Sequence, residues 1–81
     1  MTKNEREQCE RLMNEAIWKM KRSNECWDEY EKAKEENRLD EAEVAMIRSD
    51  YYWGYSDGIY DVLRAIGFKH DGMKKLCELS K

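Results

Sequence analysis

A chain of 81 residues makes one domain at most, and folding at this size buries only a little over ~60% of the unfolded surface. Charged residues are 41% of the chain and the net charge is −3, with acids and bases interleaved. That balance excludes a general nucleic-acid binder and is too weakly acidic for a DNA mimic. With no proline, and with Glu, Lys, Arg, Ala, Leu and Met in most windows, the composition favours helix throughout. The start MTKNEREQCER has no apolar run, and no stretch approaches the roughly 18 apolar residues of a membrane span. The expectation is a soluble, cytoplasmic protein without a membrane partner.

Thr2 followed by Glu5 forms a capping box, which starts a first helix near Lys3. Its apolar positions fall at Cys9, Leu12, Met13, Ala16, Met20, Ser23, Trp27, Tyr30 and Ala33, in steps of three and four. Ile17 and Trp18 widen that stripe, and Trp18 sits at its edge. Glu15 and Lys19 stand at the supportive i, i+4 spacing on the charged side. The helix is predicted over 3–36.

Asn37-Arg38-Leu39-Asp40 is the turn. Asp40 with Glu43 reads as a second capping box, with Leu39 and Val44 as its hydrophobic staple. The fragment RLDEAE resembles the turn of a tetratricopeptide repeat, but no second copy follows, so it counts only as helix–turn–helix chemistry. A second helix is predicted over 41–66, with Ala45, Tyr52, Tyr55, Ile59, Val62, Leu63 and Ile66 as its apolar face. Gly67 supplies a left-handed stop, and Phe68 folds back onto Leu63. Met73, Leu76, Cys77 and Leu79 predict a short third helix over 72–79, capped by Asp71 and lying across the open end of the hairpin. The predicted fold is therefore all-α: a long antiparallel two-helix hairpin with a short third helix, assembling as a dimeric helical bundle.

The stretch Tyr51–Leu63 holds five of the nine aromatic residues and two of the four glycines. Gly54 and Gly58 imply either close approach of another backbone or a break in the helix, since each costs about 1 kcal/mol relative to Ala. Tyr51, Tyr52 and Tyr55 lie with Ile59 and Val62 as core or interface aromatics. Self-association is expected through Tyr52, Tyr55, Gly58 and Ile59. On a neighbouring face, Trp53, Asp57, Tyr60 and Arg64 follow helical spacing, and this mixture of ring, carboxylate and guanidinium suits protein recognition. Together with Trp18 they are the candidate partner-binding residues. The alternatives are that Trp53 and Tyr60 only cover the hairpin edge while Arg64 pairs Asp61 or Asp57, or that the rings stack a base-like ligand.

Chemistry beyond binding finds little support. Cys9, Cys26 and Cys77 are odd in number and far apart, and read as buried or half-buried thiols. His70 and Cys77 lack the further ligands that zinc needs, and no Cys–His nucleophile has an orienting third group. No cofactor, metal or catalytic residue is therefore expected. The basic knots Lys19-Met20-Lys21-Arg22 and Lys74-Lys75 are flanked by acids, so direct nucleic-acid binding is disfavoured.

In size, charge density and lack of catalytic residues, the chain resembles the small accessory proteins of bacteriophages and mobile elements, including inhibitors of host defence such as anti-CRISPR proteins. The resemblance is one of type, without a diagnostic motif. It implies a non-enzymatic module that blocks a larger protein sterically, inside a bacterial host. Two other classes stand beside it: an oligomeric sponge for a nucleotide-like ligand, and a structural assembly module.

Overall fold

The computed structural model describes residues 1–80, which form three helices: α1 (Lys3–Glu35), α2 (Leu39–Ala65) and α3 (Asp71–Leu79). α1 and α2 run antiparallel as a hairpin in a body 52 × 17 × 16 Å. The capping box at the start of α1 is in place: the Glu5 amide donates to Thr2 Oγ1 (3.1 Å) and the Thr2 amide to Glu5 Oε1 (3.3 Å).

Both long helices stop in the same way. After α2, Gly67 takes φ +78°, the Phe68 amide donates to the Leu63 carbonyl and the Gly67 amide to that of Arg64. These are the two bonds of a Schellman closure. After α1, Asn37 fills the left-handed position at φ 58°, with the Arg38 amide on Ala33 and the Asn37 amide on Lys34. Because that closure already turns the chain, α2 resumes at Leu39, two residues earlier than the predicted start.

The expected capping box at Asp40 does not form. Arg38 occupies the cap without a side-chain bond, and its guanidinium pairs with Glu36 and Glu41. Leu39 and Val44, expected as a staple, are both exposed. At α3 the cap is His70, not Asp71: its Nδ1 accepts from the Gly72 amide at 2.9 Å.

The seam between α1 and α2 is built from small residues. On α1 the buried positions are Cys9, Met13, Ala16, Met20, Ser23, Cys26 and Ala33. On α2 they are Ala42, Ala45, Ser49, Ser56 and Leu63, with Tyr52 and Ile59 half-buried between them. Positions 42, 45, 49, 52, 56, 59 and 63 alternate steps of three and four, the heptad pattern of a helix pair. Halfway along, two serines clasp: Ser23 Oγ donates to the Ser49 carbonyl (2.8 Å) and Ser49 Oγ to the Ser23 carbonyl (3.0 Å). One turn-pair further, Ser56 Oγ donates to the Ala16 carbonyl at 2.8 Å. Small side chains let the backbones approach closely enough for these side-chain-to-backbone bonds.

This seam corrects the expected burial on both helices. Cys26 points inward and Trp27 is 44% exposed. Leu12, placed on the core stripe by spacing, is also exposed. On α2, Tyr55, Val62 and Ile66 lie outside the core. The reason is the helix period: positions 42, 45, 49, 52, 56, 59 and 63 face α1, and Tyr55, Val62 and Ile66 lie off that face.

Larger side chains collect at the end away from the turn. Leu63 and Phe68 pack with Cys9 and Met13, and Leu76 packs with Ala16 and Met20. α3 does not lie across the hairpin end as expected. It runs alongside α1, with Gly72 beside Met13, Leu76 on Met20 and the Leu79 carbonyl accepting from Asn24 Nδ2 at 3.1 Å. Every buried side-chain polar atom among the described residues has a hydrogen-bond partner.

Candidate protein-binding surface

α3 covers one side of the hairpin, and the other side is left open. There the α2 side chains excluded from the seam form a continuous apolar stripe: Val44, Ile47, Tyr51, Tyr55, Val62 and Ile66, each between 40% and 61% exposed. Most surface helices bury one apolar stripe; α2 has two, and the seam takes the one with small residues.

Between this stripe and α1 runs a shallow groove of about 420 Å³, lined by Leu12 of α1 and by Gly54, Tyr55, Gly58, Ile59, Val62 and Leu63 of α2. Gly54 and Gly58 lie in an unbroken helix, which decides between the two readings of the pair: α2 does not break there. Nor does another element approach them among the described residues, since a Cβ added at either would meet no atom within 4 Å. The two glycines make a hollow in the surface of α2.

Of the residues expected to mediate self-association, Tyr55 and Gly58 lie on this open face. Ile59 is half-buried at its inner edge, and Tyr52 is half-buried at the seam. Tyr52 belongs to a cation–aromatic cluster that also contains Trp18, edge-on to it at 6.3 Å. Lys19 Nζ sits 5.2 Å from the Trp18 ring, 5.4 Å from Tyr52 and 4.8 Å from Tyr55, and Arg22 lies over Tyr52 at 5.7 Å. Glu15 is not held by Lys19, as its spacing suggested. It accepts the Tyr55 hydroxyl at 2.8 Å, and that bond to a carboxylate pushes the phenol above its usual pKa.

The second candidate face is laid out differently from the first. Trp53 is 45% exposed, Arg64 is exposed and Asp57 half-buried, so three of the four present polar or aromatic groups along one edge of α2. Arg64 has no ion-pair partner among the described residues. Tyr60 is partly withdrawn, packed against the cluster around Leu76 with Leu79. Trp18 does not join this edge; it stands with Tyr52.

Sequence reasoning missed Lys19 as an aromatic-bound cation, and Leu12, Val44 and Ile47 as surface. The heptad run 42–63 carried the necessary signal, because it assigns the seam to Ala and Ser and displaces the rings. A third aromatic feature lies near the turn, where Trp27 and Tyr30 stack at 4.9 Å and Trp27 Nε1 donates to Glu31.

No group of three or more His, Cys, Asp or Glu among the described residues could hold a metal ion. Cys9 and Cys26 are buried and Cys77 is half-buried. Burial pushes the Cys26 thiol up, away from the reactive thiolate. No described helix is long and apolar enough to cross a membrane. No protein family, curated protein or solved structure matches the chain. What the geometry offers is surface chemistry: an apolar stripe with a hollow, and an edge carrying Trp53 and an Arg64 without an ion-pair partner among the described residues.

Proposed function

We propose that the protein is a non-enzymatic protein-binding module that self-associates through the open face of α2 and meets a larger protein through the Trp53–Asp57–Arg64 edge. The observation that carries this reading is the uncovered apolar stripe of α2. Contiguous exposed apolar surface of this kind marks interaction sites in small soluble domains, and Trp, Tyr and Arg dominate binding energy where they occur. The resemblance in type to small phage accessory proteins gives the module a mode of action: a rigid helical rod occupies a groove that its target needs, in the manner of an anti-CRISPR inhibitor acting in a bacterial cytoplasm. Steric occlusion requires only a stable shape and a few anchor side chains, and the chain has both.

The test is affinity capture from bacterial lysate with the wild-type chain, Trp53→Ala, Arg64→Ala and, as a control on a remote ring, Trp27→Ala. The reading expects one large partner, retained by wild type and Trp27→Ala and lost with the other two. A partner retained equally by all four would refute the assignment of this edge.

The cation–aromatic cluster favours a second reading. Lys19 and Arg22 beside Trp18 and Tyr52 could hold an anionic, ring-bearing ligand such as a nucleotide. Ligand that binds only the folded state raises the melting midpoint, so a nucleotide panel in a thermal-shift assay tests it. If neither a partner nor a nucleotide binds, a structural assembly role remains.

A further inference from the structure

The open stripe of α2 has a spacing that reads the same from either end. Its members Ile47, Tyr51, Tyr55, Gly58, Val62 and Ile66 are separated by steps of four, four, three, four and four. An antiparallel copy of the same helix therefore presents the same ladder, rung against rung. Ile47 falls opposite Ile66, Tyr51 opposite Val62, and Tyr55 opposite Gly58. In that last pair the largest side chain meets the smallest, at a position where a Cβ would touch nothing in its own chain.

We propose that the partner of this face is a second copy of the chain, joined by a two-fold antiparallel α2–α2 contact in which the exposed part of each Tyr55 ring, its hydroxyl still on Glu15, packs over the other copy's Gly58. The proposal rests on reading the open face as a protein-binding one. A two-fold contact must use the same patch twice and be complementary to itself, and the palindromic ladder meets that demand. Size is sufficient as well. The exposed parts of Ile47, Tyr51, Tyr55, Val62 and Ile66 sum to roughly 500 Å², so two copies bury up to about 1,000 Å², the low end for a specific interface.

An interface at this lower limit gives a dimer in the micromolar range, so sedimentation equilibrium of the full chain from about 1 to 100 μM should show the mass rise from 9.8 kDa toward twice that value. Gly58→Gln fills the hollow from a Cβ that meets no atom of its own chain, and should remain a helical monomer throughout that range. Val62→Glu, at an exposed position, is the second variant should Gly58→Gln lose helicity. Register is read with mixed disulfides in a Cys77→Ser background. Ile47→Cys chains mixed with Ile66→Cys chains should cross-link several-fold more than either alone, because like positions lie about 28 Å apart in this register. A monomer at 100 μM overturns the proposal, as does a dimer that survives both variants or cross-links without preference for the mixed pair. A monomer that still captures a target through Trp53 overturns this inference and the self-association proposed above, and leaves the Trp53–Asp57–Arg64 edge standing as the target-binding site.

Discussion

Ser56 is the most informative position in the seam. It is fully buried and its hydroxyl donates to the Ala16 carbonyl across the hairpin at 2.8 Å. Ser56→Ala removes that bond but orphans nothing, because the carbonyl keeps its own helical donor. The expected loss is about 0.5–1.5 kcal/mol, the net worth of one neutral hydrogen bond, partly recovered through the better helix propensity of Ala. Ser56→Leu is the contrasting change. Leucine is more hydrophobic and a better helix former, so a seam with spare room would gain from it. Here the facing residue is Ala16, also fully buried, and the added atoms must push α1 and α2 apart. Separation also stretches the clasp between Ser23 and Ser49, one heptad away. Overpacking costs about 1–3 kcal/mol, and loss of one or two flanking bonds adds about 1–2 kcal/mol. The sum is about 2–5 kcal/mol, or a fall in Tm of at least ~8 °C in a chain of this size. Urea denaturation followed by circular dichroism at two protein concentrations measures it, the second concentration separating any contribution from self-association. A Ser56→Leu protein as stable as wild type would refute the small-residue seam.

Further outcomes follow from the helix ends, the glycines and the thiols. Gly54→Ala should stabilise the chain by about 1 kcal/mol through helix propensity, since its Cβ meets open space. Gly67→Ala should cost about 1–2 kcal/mol, because L side chains are strained in its left-handed conformation; Asn37→Gly, relieving the same strain at the other closure, should gain up to about 1 kcal/mol. Denaturation midpoints rank all three. Thr2→Ala should cost about 1 kcal/mol by removing the cap. The bond to Thr2 also holds the Glu5 carboxylate below its ordinary pKa of 4.5. A depressed folded-state pKa contributes stability above the unfolded value and loses it as pH falls through the folded one. The helical signal of wild type should therefore decline below about pH 4.5, and that part of the decline should shrink in Thr2→Ala, which loses the side-chain bond and keeps the backbone donor of residue 2. Finally, a thiol reagent should label Cys77 first, with Cys9 and Cys26 reacting only as the chain opens; equal rates at all three would contradict the packing of α1.

Most of the architecture was legible in the sequence, because its signals are local. The Thr2–Glu5 box, the Gly67 stop and the three-and-four spacing on α1 each depend on residues within about one turn of each other. The three helices follow from them almost to the residue. The local signals that failed are those with a local competitor. Asp40 carries a good capping pattern, but the Asn37 closure had already started α2 at Leu39. Asp71 lost the cap of α3 to His70, whose ring reaches the Gly72 amide.

The candidate site was legible only in part, for a different reason. Trp53, Asp57 and Arg64 share an edge because helical geometry alone puts them there. α2, however, carries two stripes that could be buried: one of Ala, Ser, Tyr, Ile and Leu in heptad register, and one richer in large apolar groups. Hydrophobicity favours burying the second. The tertiary structure buries the first, because α1 offers Ala16, Ser23, Cys26 and Ala33 along its facing side, and helices that meet through such small residues admit a ring only at the margin, as with the half-buried Tyr52. The sequence by itself thus determined that the fold is a helical hairpin with a short third helix, and it placed the helix ends to within two residues. Which face of α2 is core, and hence which face is left for a partner, was decided by the fit of one helix against the other.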